Sequence, residues 1–178
     1  MKPTRILAAA LMLCVNSWAS SALAHASFVT PTTPAGATFK ADLRIPHGCD
    51  GQATLDVHIR IPEGFFSVKP MPKAGWTLKT SQSDYAKTYM NHGKPVSAGV
   101  TEIRWSGNLP DNWFDEFSFR GTVDPDMDPG STLYFIVTQT CADGRVVWSE
   151  IPSDDAPGQK LERPAVALTV SKAEGHTH

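Results

Sequence analysis

Thr38-Phe39-Lys40-Ala41-Asp42-Leu43-Arg44-Ile45 and Thr54-Leu55-Asp56-Val57-His58-Ile59-Arg60-Ile61 decide the fold class of this chain. In the first stretch Phe39, Ala41, Leu43 and Ile45 alternate with polar residues. In the second, Leu55, Val57, Ile59 and Ile61 do the same. A period of two puts every second side chain on one face of an extended chain, so each stretch predicts a half-buried strand. Further strands are expected at residues 76–80, 101–105, 116–123, 133–140, 145–151 and 165–170. Turn residues separate them at Pro62-Glu63-Gly64, Asp128-Pro129-Gly130 and Asp143-Gly144, and Asp-Gly suits the positive backbone angles of a tight hairpin loop. No segment sustains a helical period. About eight short strands with frequent turns predict an all-β, antiparallel β-sandwich of immunoglobulin or cupredoxin type.

The amino-terminal segment is different in kind. Lys2 and Arg5 precede an apolar run over residues 6–15, and Ala22-Leu23-Ala24 forms a small-x-small site. The run is shorter than the roughly 20 residues a spanning helix needs, so the order is that of a secretory signal peptide. The expected organisation is a signal peptide over residues 1–24, one domain over 25–170 and a flexible tail over 171–178 with His176 and His178. Cleavage after Ala24 leaves His25 first, in a periplasmic or otherwise extracytoplasmic protein with no further membrane insertion. Losing Lys2 and Arg5 moves the net charge from −2 to about −4. A mildly acidic chain without basic clusters argues against nucleic acid or anionic lipid as a partner.

Three cysteines are present, and Cys14 leaves with the signal peptide. Cys49 and Cys141 remain as an even pair in an oxidising compartment, which predicts a disulfide. It closes a loop of about 92 residues, and the chain-entropy model allows roughly 4–5 kcal/mol for that. The competing reading, two soft thiolate metal ligands, lacks the C-x-x-C spacing that usually accompanies it.

An amino-terminal histidine offers one metal two nitrogens, its free α-amine and its ring Nδ1. Copper(II) leads the affinity order for such donors and accepts tetragonal geometry. The α-amine titrates near 7.7–8.0, so it deprotonates readily on binding near neutrality. From the residues alone, a ligand at His25 and a histidine left there by the peptidase weigh equally. The other amino-terminal copper motif needs histidine at the third mature position, which holds Ser27. His47, in Ile45-Pro46-His47-Gly48-Cys49, reads as a turn histidine bonded to backbone, with a second imidazole as its alternative role. His58 reads as a solvated residue on a polar strand face, and His92 as an exposed loop residue. Phe117 and Phe119 share parity toward the core, which sends Glu116 to the outer face with Ser118 and Arg120. Trp148 reads as strand core packing. Neither G-x-S-x-G nor H-E-x-x-H occurs, and only Met71, Met90 and Met127 remain after cleavage, too scattered for a copper(I) tract.

Taken in order, several pieces resemble the YcnI-like family of extracytoplasmic copper-binding proteins. They are the Ala-His junction with His25-Ala26-Ser27-Phe28-Val29, then Pro34-Ala35-Gly36, Arg44-Ile45-Pro46-His47-Gly48-Cys49-Asp50-Gly51 and Ile61-Pro62-Glu63-Gly64. Val68-Lys69-Pro70, Ala74-Gly75-Trp76, Ile103-Arg104-Trp105, Glu116-Phe117-Ser118-Phe119-Arg120-Gly121 and the run from Asp143-Gly144 to Trp148 follow. The resemblance implies a β-sandwich holding one Cu(II) in a monohistidine brace. In it His25 gives amine and Nδ1, a glutamate carried over to Glu116 adds oxygen, and a tryptophan carried over to Trp148 covers the metal. Trp105 and Trp113 compete for that last role.

The expected function is therefore a non-enzymatic copper(II) protein for trafficking, storage or homeostasis, its partner another copper-trafficking or membrane copper protein. The alternative is a histidine-brace copper monooxygenase-like enzyme, which needs His47 or His58 as a second ring. A third reading is a metal-free interaction sandwich. Export makes the first prediction: the intact mass of the secreted protein corresponds to a chain starting at His25. A mass that retains any of residues 1–24 removes the free histidine amine from consideration.

Overall fold

A computed structural model describes residues 25–153, 155 and 158–172. The strands are β1 Ser27–Phe28, β2 Thr32–Pro34, β3 Thr38–Ile45, β4 Thr54–Arg60, β5 Phe65–Pro70, β6 Thr77–Asn91, β7 Lys94–Leu109, β8 Asp115–Val123, β9 Thr132–Cys141, β10 Gly144–Trp148 and β11 Val166–Ser171. They form two sheets. The smaller runs β1-β3-β8-β5; the larger runs β2-β11-β9-β4-β7-β6, with β10 also pairing with β9. Every pairing is antiparallel except β2 with β11. The signal peptide and the two tail histidines lie outside the described residues, and Ser171 closes the last strand rather than opening the tail.

Alternation explains the layers. On β3, Phe39, Ala41, Leu43 and Ile45 are buried, and on β8 Phe117, Phe119 and Val123 join them. The larger sheet answers with Val57, Ile59, Ile103, Trp105, Phe135, Val137 and Leu168. Phe28 packs edge-on against Phe135 at 5.0 Å, which fastens β1 to the opposite sheet. Edge-to-face contacts of this kind add about 0.5–1.5 kcal/mol beyond area burial.

Departures from simple alternation have local causes. The register of β4 shifts between Thr54 and Asp56, so Thr54 is buried while Leu55 is 40% exposed. A bulge adds one residue and exchanges the faces around it. Strands β6 and β7 extend far past 76–80 and 101–105, because β6 is an edge strand whose residues 79–84 are all exposed and carry no apolar signal. The far end of this hairpin is held by Tyr89, whose hydroxyl donates to Glu63 at 2.6 Å and accepts from the Gly64 amide at 2.9 Å. Burial first, then the Glu63 carboxylate, push that hydroxyl up to about 12. In β5, consecutive Phe65 and Phe66 and a positive φ of 53° at Ser67 break the period of two. Between β9 and β10 the turn consists of Ala142 and Asp143, and Gly144 opens β10 with a φ of 119°.

Cys49 and Cys141 are bonded, with their Cα atoms 6.1 Å apart. The bridge ties the β3–β4 connection to the end of β9. Replacing both cysteines by serine should lower the unfolding free energy by up to about 4–5 kcal/mol. Urea denaturation reads this as a lower midpoint, and an unchanged midpoint would show that the cross-link contributes nothing.

Candidate metal centre

His25 sits just before β1, half-buried. Its ring lies 5.5 Å from that of Trp148 at an interplanar angle of 58°. Trp148 ends β10, pairs with Val137, and belongs to the core at 6% exposure. Its Nε1 is buried and, among the described residues, has no hydrogen-bond partner. A buried donor left unmatched costs about 1–3 kcal/mol, so this indole N–H is poised for an acceptor. Trp105 is wholly buried and donates to the Met71 carbonyl at 3.2 Å, while Trp113 is 62% exposed. Of these three tryptophans, Trp148 is the one whose ring meets that of His25.

The β1–β3 register pairs Ser27 with Arg44 and Phe28 with Leu43. His25 and Ala26 precede the strand and lie outside this pairing. The His47 segment is pinned from several sides. Buried Gln139 donates through Nε2 to the His47 carbonyl at 2.6 Å and to Thr54 Oγ1 at 2.7 Å. The Gly48 amide donates to the Asp111 carbonyl at 3.2 Å. A Cβ at Gly48 would collide with the Gln52 carbonyl oxygen and Asp111, so only glycine lets these segments close. Asp50 and Gly51, both at positive φ, make the tight turn between Cys49 and Gln52. His47 Nδ1 lies 2.7 Å from the Gly48 carbonyl oxygen, the backbone-bonded state expected for it.

Glu116 points to the outer face of the smaller sheet, as its parity requires. Its partner is Arg44 rather than Arg120: Arg44 Nη2 and Nε donate to Oε1 at 2.9 and 3.2 Å. Arg44 also lies 5.8 Å over the Phe114 ring. The strand order puts β3 between β1 and β8, and Arg44 is the cross-strand partner of both Ser27 and Glu116. Glu116 thus shares a face with the start of β1, with Arg44 interposed. Among the described residues no cluster of three His, Cys, Asp or Glu side chains is assembled.

His58 is more covered than expected, at 17% side-chain exposure, and its Nε2 lies 3.4 Å from Glu102 Oε2. It lies on the outer face of the larger sheet, with the core between it and β1. His92 occupies the β6–β7 turn and is exposed. Sequence reasoning passed over Arg44, Gln139 and Asp111. Gln139 carried a signal: it is the polar member of the inward series Leu133, Phe135, Val137, Gln139, Cys141.

Residues 25–170 match the family described as "Domain of unknown function (DUF1775)". The chain belongs to the DUF1775 family. This is the domain of the YcnI-like proteins that its motifs resemble. The match begins at His25 and takes in both sheets. An uncharacterized Nocardia farcinica protein, its crystal structure described as revealing an immunoglobulin-like fold, superposes with a TM-score of 0.63 at 22% identity over 83% of this chain and 99% of that one. That likeness establishes the immunoglobulin-like fold. A protein described as catalysing macrocyclization in alchivemycin A biosynthesis reaches a TM-score of only 0.27 at 9% identity, over 84% of this chain and 88% of that one. No curated protein matches. No helix among the described residues is long and apolar enough to cross a membrane, and with the disulfide this fits an exported protein.

Both ends of the Arg44–Glu116 pair are over a third exposed, at 44% and 38%. Pairs of that kind contribute about 0–1 kcal/mol. Glu116→Gln should therefore shift the denaturation midpoint by less than about 1 kcal/mol equivalent. A larger loss would make the pair a structural element of the smaller sheet.

Proposed function

We propose that this DUF1775 protein is an extracytoplasmic copper(II)-binding protein for trafficking or storage, not an enzyme. Copper is the cargo, chelated by the α-amine and Nδ1 of His25 beneath Trp148. The single observation that carries the proposal is the tilted contact of a half-buried His25 ring with a core tryptophan whose indole N–H has no partner among the described residues. The residues fit copper(II): two nitrogens from one terminal residue favour it by donor type. The apolar indole limits solvent access, and its free N–H can donate to a water or anion that completes the site.

Glu116 enters as the oxygen donor that the family resemblance implies. It must first exchange Arg44 for the metal, since Oε1 is engaged by two guanidinium nitrogens. Hard oxygen and nitrogen donors suit copper(II) over copper(I), so reduction at a partner would favour release. The exposed pair Trp113 and Phe114, 62% and 65% accessible, lies on the β7–β8 connection that contacts the His47 turn through Asp111, where a copper-trafficking partner could seat.

The same exposed aromatics favour a second reading, a histidine-brace oxidative enzyme with a substrate platform. Reductant-driven, copper-dependent oxidation of an added polymer above the free-ion background would support it.

One added residue ahead of His25 tests the main proposal. It converts the amine to an amide, so copper(II) affinity should fall by at least about 10–100-fold while the melting temperature of the metal-free protein stays constant. Lowering the pH should weaken binding to the unextended protein, because protons compete for the same nitrogens. Equal affinity for extended and unextended forms, measured by chelator competition, would refute it.

A further inference from the structure

Cations from three strands stand in one row on the outer face of the smaller sheet. The β3–β8 register puts Lys40 opposite Arg120, and the β5–β8 register puts Lys69 opposite Arg120 on the other side. They are far apart in sequence, so no basic run announces them, and strand pairing alone assembles the row. Lys40, Lys69 and Arg120 are all exposed. Like charges directly opposite one another on neighbouring strands are destabilising, and little here offsets that cost. Lys40 pairs with Asp42 at 2.7 Å. Among the described residues Lys69 and Arg120 have no carboxylate partner. The acidic residues of β8 are already engaged, Glu116 by Arg44 and Asp115 by Lys73.

The row is walled on one side. The β6–β7 hairpin belongs to the larger sheet, yet its far end packs on β5 of the smaller one. Tyr85 Oη accepts from the Ser67 amide at 3.2 Å, Asn91 Nδ2 donates to Ser67 Oγ at 3.1 Å, and the Tyr89 ring stacks on Phe66 at 4.4 Å. These contacts gather where β5 leaves its register, between Phe66 and Lys69, with Ser67 at a φ of 53°. Hairpin and sheet thereby shape a cavity of about 230 Å³ whose lining includes Lys69, Arg120, Thr38, Thr122, Asn91 and His92. No carboxylate lines it. Lys69 and Arg120 also line a neighbouring hollow of about 370 Å³, which Lys40 shares and which Pro70, Met71 and Pro72 make apolar.

We infer that Arg120, Lys69 and His92 form a binding site for a phosphate-class oxyanion. A guanidinium offers a planar fork of donors that matches phosphate oxygens two at a time, and an ammonium adds a point charge. The hydroxyls of Thr38 and Thr122 supply neutral donors in the same cavity. An anion there relieves the repulsion along the row, whereas a metal cation would add to it. The apolar hollow receives the organic part when the phosphate is esterified. Dissolved phosphate and a phospholipid headgroup share this chemistry. The site is separate from His25 and does not depend on the copper reading.

The test is an NMR titration of the mature, metal-free protein with inorganic phosphate, against chloride at matched ionic strength. Saturable shifts are expected at the amides of Ser67, Lys69, His92 and Arg120. Arg120→Gln and Lys69→Gln should each weaken phosphate by at least about tenfold, while Lys79→Gln, on β6 away from the row, should be silent. Without phosphate, the melting temperatures of Arg120→Gln and Lys69→Gln should equal or exceed that of the parent, because a like-charge contact is gone. A second arm sediments the protein with phosphatidylglycerol or phosphatidylcholine vesicles. Capture by phosphatidylglycerol alone, lost in Arg120→Gln, assigns the headgroup as the source, and a phosphate response without capture assigns the free ion. No saturable response in either arm, or the same response in Arg120→Gln and Lys69→Gln as in the parent, overturns the inference.

Discussion

The bridge from Cys49 to Cys141 is the constraint on which the functional end of this molecule depends. A sandwich is held by its core, but connections at its ends are free to move unless something fastens them. Here the β3–β4 connection is fixed covalently to the end of β9 and, two residues earlier, by the Gln139 amide to the His47 carbonyl. Buried polar bonds of this kind have specific geometry and a high cost when one partner is lost. Together they hold a Gly-containing loop rigid at this end of the sandwich.

Core and site share residues. Phe28 binds β1 to the opposite sheet through Phe135, and the residue three positions earlier is His25. Trp148 is at once a core side chain and the surface against which His25 rests. Burying the indole stabilises the sandwich, yet among the described residues its N–H has no partner. The outer face of the smaller sheet shows the opposite arrangement, with Arg44 and Glu116 satisfying one another in solvent.

Much of the fold was legible in residue order. Alternation in β3, β8 and β9 placed their buried and exposed faces, and the cysteine pair followed from export and parity. What escaped had physical reasons. Strand β6 is polar on both faces because it is an edge, β5 is interrupted at Ser67, and the β4 bulge moved Leu55 outward. Parity sent Glu116 to the outer face, as found. It could not reveal the partner, because Arg44 is 72 residues away and becomes a neighbour only when β3 pairs with β8.

The sequence by itself determined the all-β class, the covalent link, the family, and the expected exposure of a histidine amine by cleavage, since each depends on local pattern or motif. Only the tertiary structure decided which tryptophan meets His25, that Glu116 is held by Arg44, and that His47 and His58 are on opposite sides of a core. These are relations between strands distant in sequence. Their register is fixed by sheet pairing and core packing, which no local period encodes.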